Sequence, residues 1–512
     1  MTPDQLAHTL QLYLAEASNG AVVEEGEVLF GLSAAQYSIS CERERCLLHL
    51  WSDERNIVRH VVDAIEDAKH GSLILTVKRF GQSRPNKLEI CRDRDRRTPS
   101  AKNTTRSQYA RLLERLIRRQ SPDWKLDRLS TTMDLERSFS PVYARGLLRK
   151  GQSSFAVFGV NHQETQASVD AALTFALLWL DYCREREAGS SLVEGLRVYV
   201  PHGRATTLQI RMAHLNHARA KFQLFELDAR DETLNEIDTA DHGNIETRLL
   251  QSPNVAQTRE RFAEAIDKVL AAIPNAEVAV PGPAEIVFRL HGLEFAKVRA
   301  VNVPGSFQVQ HEFVFGSAGY QSHLTEETQA DFDRFTSLLK DIRNVDGDRR
   351  DPLWRMYPER WLECLVFADV AAVDSRLNAT HVYSQVPAFT ASDRAMIDIL
   401  TCTHDGRLAV IELKADEDIN LPLQGLDYWA RVRWHHARGE FQPHGYFSGV
   451  VLSPRPPLLI LVAPSMRVHP STDIILSYFS QDIEWSVVGL DERWRDGVKV
   501  VFRKRSGKVV VV

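Results

Sequence analysis

The sequence predicts a mixed α/β (α+β) protein of several domains, and three observations lead there. At 512 residues, 44% hydrophobic and 26% charged, the chain can bury several cores. Between about residues 140 and 230, strand-like and helix-like runs alternate, which argues for a sheet with helical crossovers. Near residue 400, two apolar, β-favouring runs flank a polar turn and read as a hairpin of buried strands.

Residues 1–135 read as an N-terminal α+β domain. A short amphipathic helix is followed by strand-like runs such as Tyr37-Ser38-Ile39-Ser40 and Ser72-Leu73-Ile74-Leu75-Thr76-Val77. A basic segment, 91–125, comes next: nine arginines and two lysines stand against four acids, a local excess of +7 in a chain whose net charge is −5. It runs from Arg92-Asp93-Arg94-Asp95-Arg96-Arg97 through a Ser/Thr/Asn-rich loop into a helix. There Arg111, Arg115, Arg118 and Arg119 recur at three- and four-residue spacing and make one basic face. Such a face neutralises phosphates without reading sequence. The alternative is a solvated helix balanced by acids elsewhere.

Residues 136–275 form the α/β stretch: a strand Phe155 to Val160, a long helix through Leu177 to Tyr182, and strands Leu196 to Val200 and Phe222 to Leu227 around another helix. Neither GxGxxG nor Walker glycines occur, which argues against nucleotide folds of those types. A proline-rich seam, Ile273 to Pro283, precedes a small β-rich connector at 284–345, with strands Glu285 to Leu290 and Phe313 to Phe315 and a closing helix Glu326 to Arg343. A second, polar seam from Asn344 to Pro352 opens the last domain, 346–512.

No apolar run approaches the roughly 18 residues of a membrane span, and the N-terminus lacks a signal-peptide pattern, so a cytoplasmic protein with no membrane partner is expected. The six cysteines are scattered without zinc-ligand spacing and read as reduced core thiols. Among eighteen histidines there is no HExxH signature, and His435-His436 reads as helix surface.

The hairpin carries the chemistry. Ala395-Met396-Ile397-Asp398-Ile399-Leu400 leads through a turn into Leu408-Ala409-Val410-Ile411-Glu412-Leu413-Lys414. Glu412 and Lys414, two apart, share one face of their strand. A two-residue turn at Asp405-Gly406 would set Asp398 opposite Leu413, its side chain away from Glu412. A three-residue loop, His404 to Gly406 with glycine left-handed, pairs Thr403 with Arg407 and Asp398 with Glu412. We take the second, which places the two carboxylates roughly 5 Å apart on one face, fit to hold one divalent cation.

Asp398, the triplet Glu412-Leu413-Lys414 and the helical Gln424-Gly425-Leu426-Asp427-Tyr428 together resemble the PD-(D/E)XK nuclease superfamily, in its RecB-like and NucS-like branches with their QxxxY helix. The resemblance covers roughly residues 350–465, and Met396-Ile397 stands where the family's proline is usual. It implies a restriction-endonuclease-like core and, in Tyr357-Pro358-Glu359-Arg360-Trp361-Leu362-Glu363, the opening helix with an acidic residue, Glu359 or, one turn on, Glu363. By that resemblance Asp398, Glu412 and Glu359 hold Mg²⁺ or Mn²⁺, Lys414 orients or deprotonates the attacking water, and Gln424 and Tyr428 line the site. Two other carboxylate-x-lysine pairs carry no such context: Asp67/Lys69 lies in a helical pattern, and Asp123/Lys125 follows Pro122 without a preceding strand. The alternative for Glu412/Lys414 is a half-buried strand ending in an ion pair.

The implied activity is metal-dependent cleavage of DNA by a cytoplasmic endonuclease or other nuclease of bacterial DNA repair or defence, with nucleic acid as partner, DNA rather than RNA, and homodimerisation open. The other readings are a nucleic-acid-binding protein with vestigial catalysis and a ribonuclease. A comparison within the chain adds one expectation. Tyr143 to Leu148, a turn at Lys150-Gly151-Gln152, the strand Ala156 to Asn161 and a helix bearing Leu180-Asp181-Tyr182 repeat the order of the hairpin region, with Leu426-Asp427-Tyr428 as the counterpart. Aligning Ala156-Val157 with Ala409-Val410 sets Arg145, Gly159 and Asn161 at the places of Asp398, Glu412 and Lys414. That would make 136–275 a degenerate nuclease-like copy serving as platform or dimer surface; the alternative is an unrelated α/β domain.

Overall fold

Short runs rich in β-branched residues build the first of two compact units, Met1–Tyr109 with Gly316–Gln321. The computed structural model describes residues 2–17, 20–24, 27–32, 35–42, 45–51, 56–67, 72–78, 85–91, 99–127, 129–134, 139–241, 247–302, 309–317, 321–389 and 396–511. The basic run Arg92 to Arg97, Lys69 and Ala395 lie outside them. In this unit seven antiparallel strands form one sheet in which the first strand, Ala21–Glu24, pairs with the last, Asn86–Cys91. A helix, Pro3–Glu16, starts at a Thr2–Gln5 capping box and sends Leu6, Leu10 and Leu14 onto Leu48, Leu50, Leu73 and Leu75. Asp67 is not helical as its pattern suggested. It ends the strand Asn56–Asp67, whose Ile57, Val58, Val61 and Val62 favour a pleat paired on both edges.

The second unit comprises Ala110–Phe315 and Ser322–Val512. A helix spans Pro99–Gln120, its first half counted with the first unit, so the Ser/Thr/Asn-rich stretch expected as loop is helical, with the proline at its first position. The expected seam at 273–283 is also structured: Glu277–Gly282 is a strand paired with Glu285–Leu290, the edge of a five-stranded antiparallel sheet. Prolines at an edge cost no ladder bond. Phe262, Ile266, Val269, Phe332 and Leu339 from flanking helices cover that sheet, so the β-rich module begins before residue 284. The polar stretch after it is anchored by Arg343, fully buried, whose guanidinium donates to the carbonyls of Leu353, Trp354 and Met356 at 2.8, 2.9 and 2.8 Å and of His291 at 2.8 Å.

Two further sheets share one strand plan. In the first, β1 (Lys125–Leu126), β2 (Tyr143–Lys150) and β3 (Ser153–Val160) pair antiparallel in that order. Helix α1 (Ala172–Arg186) then crosses to β4 (Leu192–Pro201), α2 (Thr206–Ala213) crosses to β5 (Lys221–Asp228), both parallel to β3, and β6 (Thr233–Ile237) returns antiparallel. The second sheet opens with the short edge β7 (Arg248–Leu249) and is backed by α3 (Pro358–Ala368). Its strands β8 (Tyr383–Phe389), β9 (Met396–Cys402) and β10 (Leu408–Leu413) are antiparallel neighbours. Crossovers α4 (Leu421–Ala437) and α5 (Thr472–Ser477) lead to β11 (Leu458–Pro464) and β12 (Trp485–Leu490), parallel to β10; β13 (Val500–Arg505) and β14 (Lys508–Val511) complete it antiparallel. From β1 to β6 and from β8 to β13, order, sense and connections are the same.

One hydrophobic core joins them. Ala156, Phe158 and Val160 of β3, Leu173, Ala176 and Leu177 of α1, Leu408 and Val410 of β10, and Leu426 and Trp429 of α4 are all buried in it. Alternation along β3 therefore turns even-numbered residues to the helices. That corrects the within-chain alignment. Arg145 stands across from Phe158, and Gly159 across from Ala144 on the other face, because the β2–β3 turn is one residue shorter than the β9–β10 loop. With Arg145 at the place of Asp398, the positions of Glu412 and Lys414 are held by Phe158 and Val160, not Gly159 and Asn161. Among the described residues no helix is long and apolar enough to cross a membrane.

Candidate active site

The register of β9 against β10 decides which carboxylates meet. Ile399 pairs with Ile411, Leu400 with Val410, Thr401 with Ala409 and Cys402 with Leu408. The Thr403 N–H reaches the Arg407 carbonyl at 2.7 Å, and Gly406, at φ +77°, turns the three-residue loop. A side chain there would strike the Val451 carbonyl, so glycine answers both backbone and space. One step further along, Asp398 stands opposite Glu412. The Leu413 N–H donates to Asp398 Oδ2 at 3.0 Å.

Both carboxyls point to the α4 side of the sheet, where a Cβ on Gly425 would lie 3.7 Å from the Glu412 Cβ. Glu412 is 2% exposed. Burial, and then Asp398 beside it, push its carboxyl well above the ordinary range; burial raises Asp398 too, against the Leu413 N–H and Lys414. Buried Glu412 Oε2 has no hydrogen-bond partner. Lys414 Nζ lies 3.6 Å from Glu412 Oε1 and 3.6 Å from Glu359 Oε2. Burial alone would lower the lysine, but Glu412, Glu359 and Asp398 outweigh it, and its pKa rises.

Helix α3 brings the remaining acids. Pro358 occupies its first turn after Tyr357 in a left-handed conformation. Glu359, half-exposed, faces Lys414, and burial raises it. Glu363, one turn on, is buried and lies on the Asp398 side, its carboxyl pushed up to about 7 by burial and held by Arg360 at 2.9 Å. Both candidates for the helix carboxylate thus flank the pair, one on each side.

Gln385 links them. Its Nε2 donates to Glu363 Oε2 at 2.8 Å and to Asp398 Oδ1 at 3.5 Å, from a backbone at φ +53° that β-strand residues rarely take. Sequence reasoning missed it, because β8 carries Pro387 and so reads as no strand at all. Asp418 was also missed: just beyond the lysine, its charge acts on both Glu359 and Lys414.

On α4, Tyr428 is packed against the core, and burial followed by Glu412 and Asp398 raises its hydroxyl. The buried amide oxygen of Gln424 accepts from no donor. His435, expected on the helix surface, is buried, its ring held between Glu440 and the Thr247 hydroxyl at 3.0 Å. The loop after α4 folds back over that side of the helix. The basic helix is a separate surface. Arg115 pairs with Glu232 at 2.9 Å and Arg119 donates to the Glu232 carbonyl, whereas Arg111 and Arg118 are exposed.

Among the described residues no three or more His, Cys, Asp or Glu side chains form a ready metal cage. The acids instead stand as the Asp398/Glu412 pair with Glu359 and Glu363 at its flanks. Neither a protein-family model nor a curated protein matches the sequence.

Proposed function

We propose that the chain is a metal-dependent phosphodiesterase of the PD-(D/E)XK type that hydrolyses DNA. The observation that carries this reading is the meeting of two carboxyls, half-buried Asp398 and fully buried Glu412, with the Lys414 ammonium beside them. In this reading β8 to β13 are the restriction-endonuclease-like core, α3 is the acidic opening helix and α4 the glutamine-tyrosine helix.

The residues fit a hard divalent cation. Two carboxyls forced together in a buried place repel, and Glu412 Oε2 has no donor, so a cation ligated by oxygen would relieve both costs. Asp398 and Glu412 would hold Mg²⁺ or Mn²⁺, with Glu359 or Glu363 completing the acidic set. Bound there, it would neutralise charge on the non-bridging and leaving oxygens of the phosphate.

The chain's own groups position the rest. Hydrolysis adds a water oxygen to phosphorus, breaks one P–O ester bond and passes the water's protons to the leaving oxygen and solvent. Lys414, kept as an ammonium by its acidic neighbours, donates to the water or the phosphate and stabilises the charge that grows as the fifth bond forms. Gln424 and Tyr428, one turn apart on α4, border the same space, and the unpaired Gln424 oxygen is available to accept from the attacking water.

The test is digestion of supercoiled plasmid, single-stranded DNA and structured RNA with Mg²⁺ or Mn²⁺, with a chelator control and Lys414→Ala. Cation-dependent DNA cleavage lost in the variant supports the reading. DNA bound but left intact would make the fold a vestigial scaffold, and cleavage of RNA alone would make it a ribonuclease.

A further inference from the structure

The strand plan of β1 to β6 repeats that of β8 to β13, and the two halves meet through equivalent parts. Helix α4 packs on α2 while α5 packs on α1, the same pairing taken in both directions. Just past the ends of α2 and α5, Leu215 and Phe479 form an antiparallel bridge. The Asn216 N–H donates to the Tyr478 carbonyl at 2.8 Å, and the Ser480 N–H to the His214 carbonyl at 2.9 Å. These two bonds exchange places under a half-turn. The aspartate of each Leu-Asp-Tyr motif is held from the other half's second crossover, though by different residues: Asp427 of α4 is bound by Arg211 of α2, and Asp181 of α1 accepts from the Tyr478 hydroxyl at the end of α5.

An approximate two-fold axis inside one chain follows, of the kind that relates the subunits of a homodimer. The chemistry is not repeated across it. Where Asp398, Glu412 and Lys414 stand in one half, Arg145, Phe158 and Val160 stand in the other. Arg145 is 4% exposed, donates to the Thr132 carbonyl and lies against the rings of Phe139 and Trp179 at 4.8 and 5.8 Å, so its place is filled as well as changed.

We infer that residues 125–237 are a blank copy of the catalytic half, fused to it as a built-in two-fold partner, and that each molecule therefore cuts a single DNA strand per encounter. A two-fold enzyme cuts a duplex with one live centre for each strand. Here the partner's place at the shared helices is already taken by the blank half, and one set of groups can hydrolyse one P–O bond. The inference rests on the phosphodiesterase reading.

The experiment follows supercoiled plasmid with the purified full-length chain and Mg²⁺ or Mn²⁺, with Glu412→Gln as control, over a range of protein concentration. Nicked circles should accumulate until the supercoiled form is gone, at a rate first-order in protein, with linear DNA appearing only later from independent hits. Linear product formed in step with loss of supercoiled DNA, or a rate second-order in protein, would overturn the single-strand inference while leaving the catalytic reading intact. No cutting at all, or cutting equal in Glu412→Gln, would instead overturn the catalytic reading and the inference with it.

Discussion

Arg211 on α2 grips Asp427 on α4, its Nε and one terminal nitrogen donating to the two carboxylate oxygens at 2.8 and 2.7 Å. The same guanidinium donates to the Asp170 carbonyl, and it is nearly inaccessible to solvent. Asp427 directly precedes Tyr428, so this bond fixes helix α4 from the other sheet's side. Replacing Arg211 with Met should leave Asp427 uncompensated and cost on the order of 3 kcal/mol in urea unfolding, with Arg211→Met/Asp427→Asn recovering much of it. A loss below about 0.5 kcal/mol would show that the bidentate bond is not what holds the halves together.

The basic helix divides into two pairs of arginines with different expected effects. Arg111 and Arg118 are exposed and free to meet phosphates, whereas Arg115 and Arg119 are engaged with Glu232. Reversing Arg111 and Arg118 to glutamate should weaken DNA binding across sequences and flatten the log-log salt dependence by roughly 0.9 for each lost phosphate contact. An unchanged slope in a binding titration would return the helix to ordinary solvated surface.

Glu187 offers a pH test away from the site. Hydrogen bonds from Arg149, and then Arg186, hold its carboxyl at about 2 against an ordinary 4.5. Its folded pKa is depressed, so its contribution is complete above the unfolded value and is lost as pH falls from about 4.5 towards about 2. Arg149→Met should therefore lower the unfolding temperature at pH 6, with the gap to the parent chain closing across that acid window. A gap that stays constant down to pH 3 would assign the loss to packing of the arginine instead.

What the sequence made legible, and what it did not, follows from where the information sits. The β9–β10 register was readable because one glycine, Gly406, fixes both the loop length and the face on which Asp398 emerges. The β3 alignment was off by one because a two-residue and a three-residue turn look alike until the alternation of buried residues along Ala156, Phe158 and Val160 is known. Gln385 left no local signal. Its role depends on a left-handed backbone opposite Asp398, set by tertiary pairing of a proline-bearing strand. Likewise His435 looked like helix surface, since the segment that buries it folds back from beyond the helix end.

Catalysis and folding can be separated at the carboxylate pair. In the metal-free protein Glu412 and Asp398 crowd two acidic groups into a buried space, a cost rather than a support for the fold. Glu412→Gln keeps the shape, removes one potential charge and offers amide N–H groups to the Asp398 carboxylate. Its unfolding temperature without metal should be no lower than that of the parent chain, and higher at pH 8, where the pair is under most pressure to ionise. Cleavage should fall by at least about 10²-fold, the scale of losing an electrostatic element from a preorganised site. If Glu412→Gln unfolds more readily than the parent while cutting DNA at an undiminished rate, the pair is a structural hydrogen bond, and the chemistry lies elsewhere on the molecule.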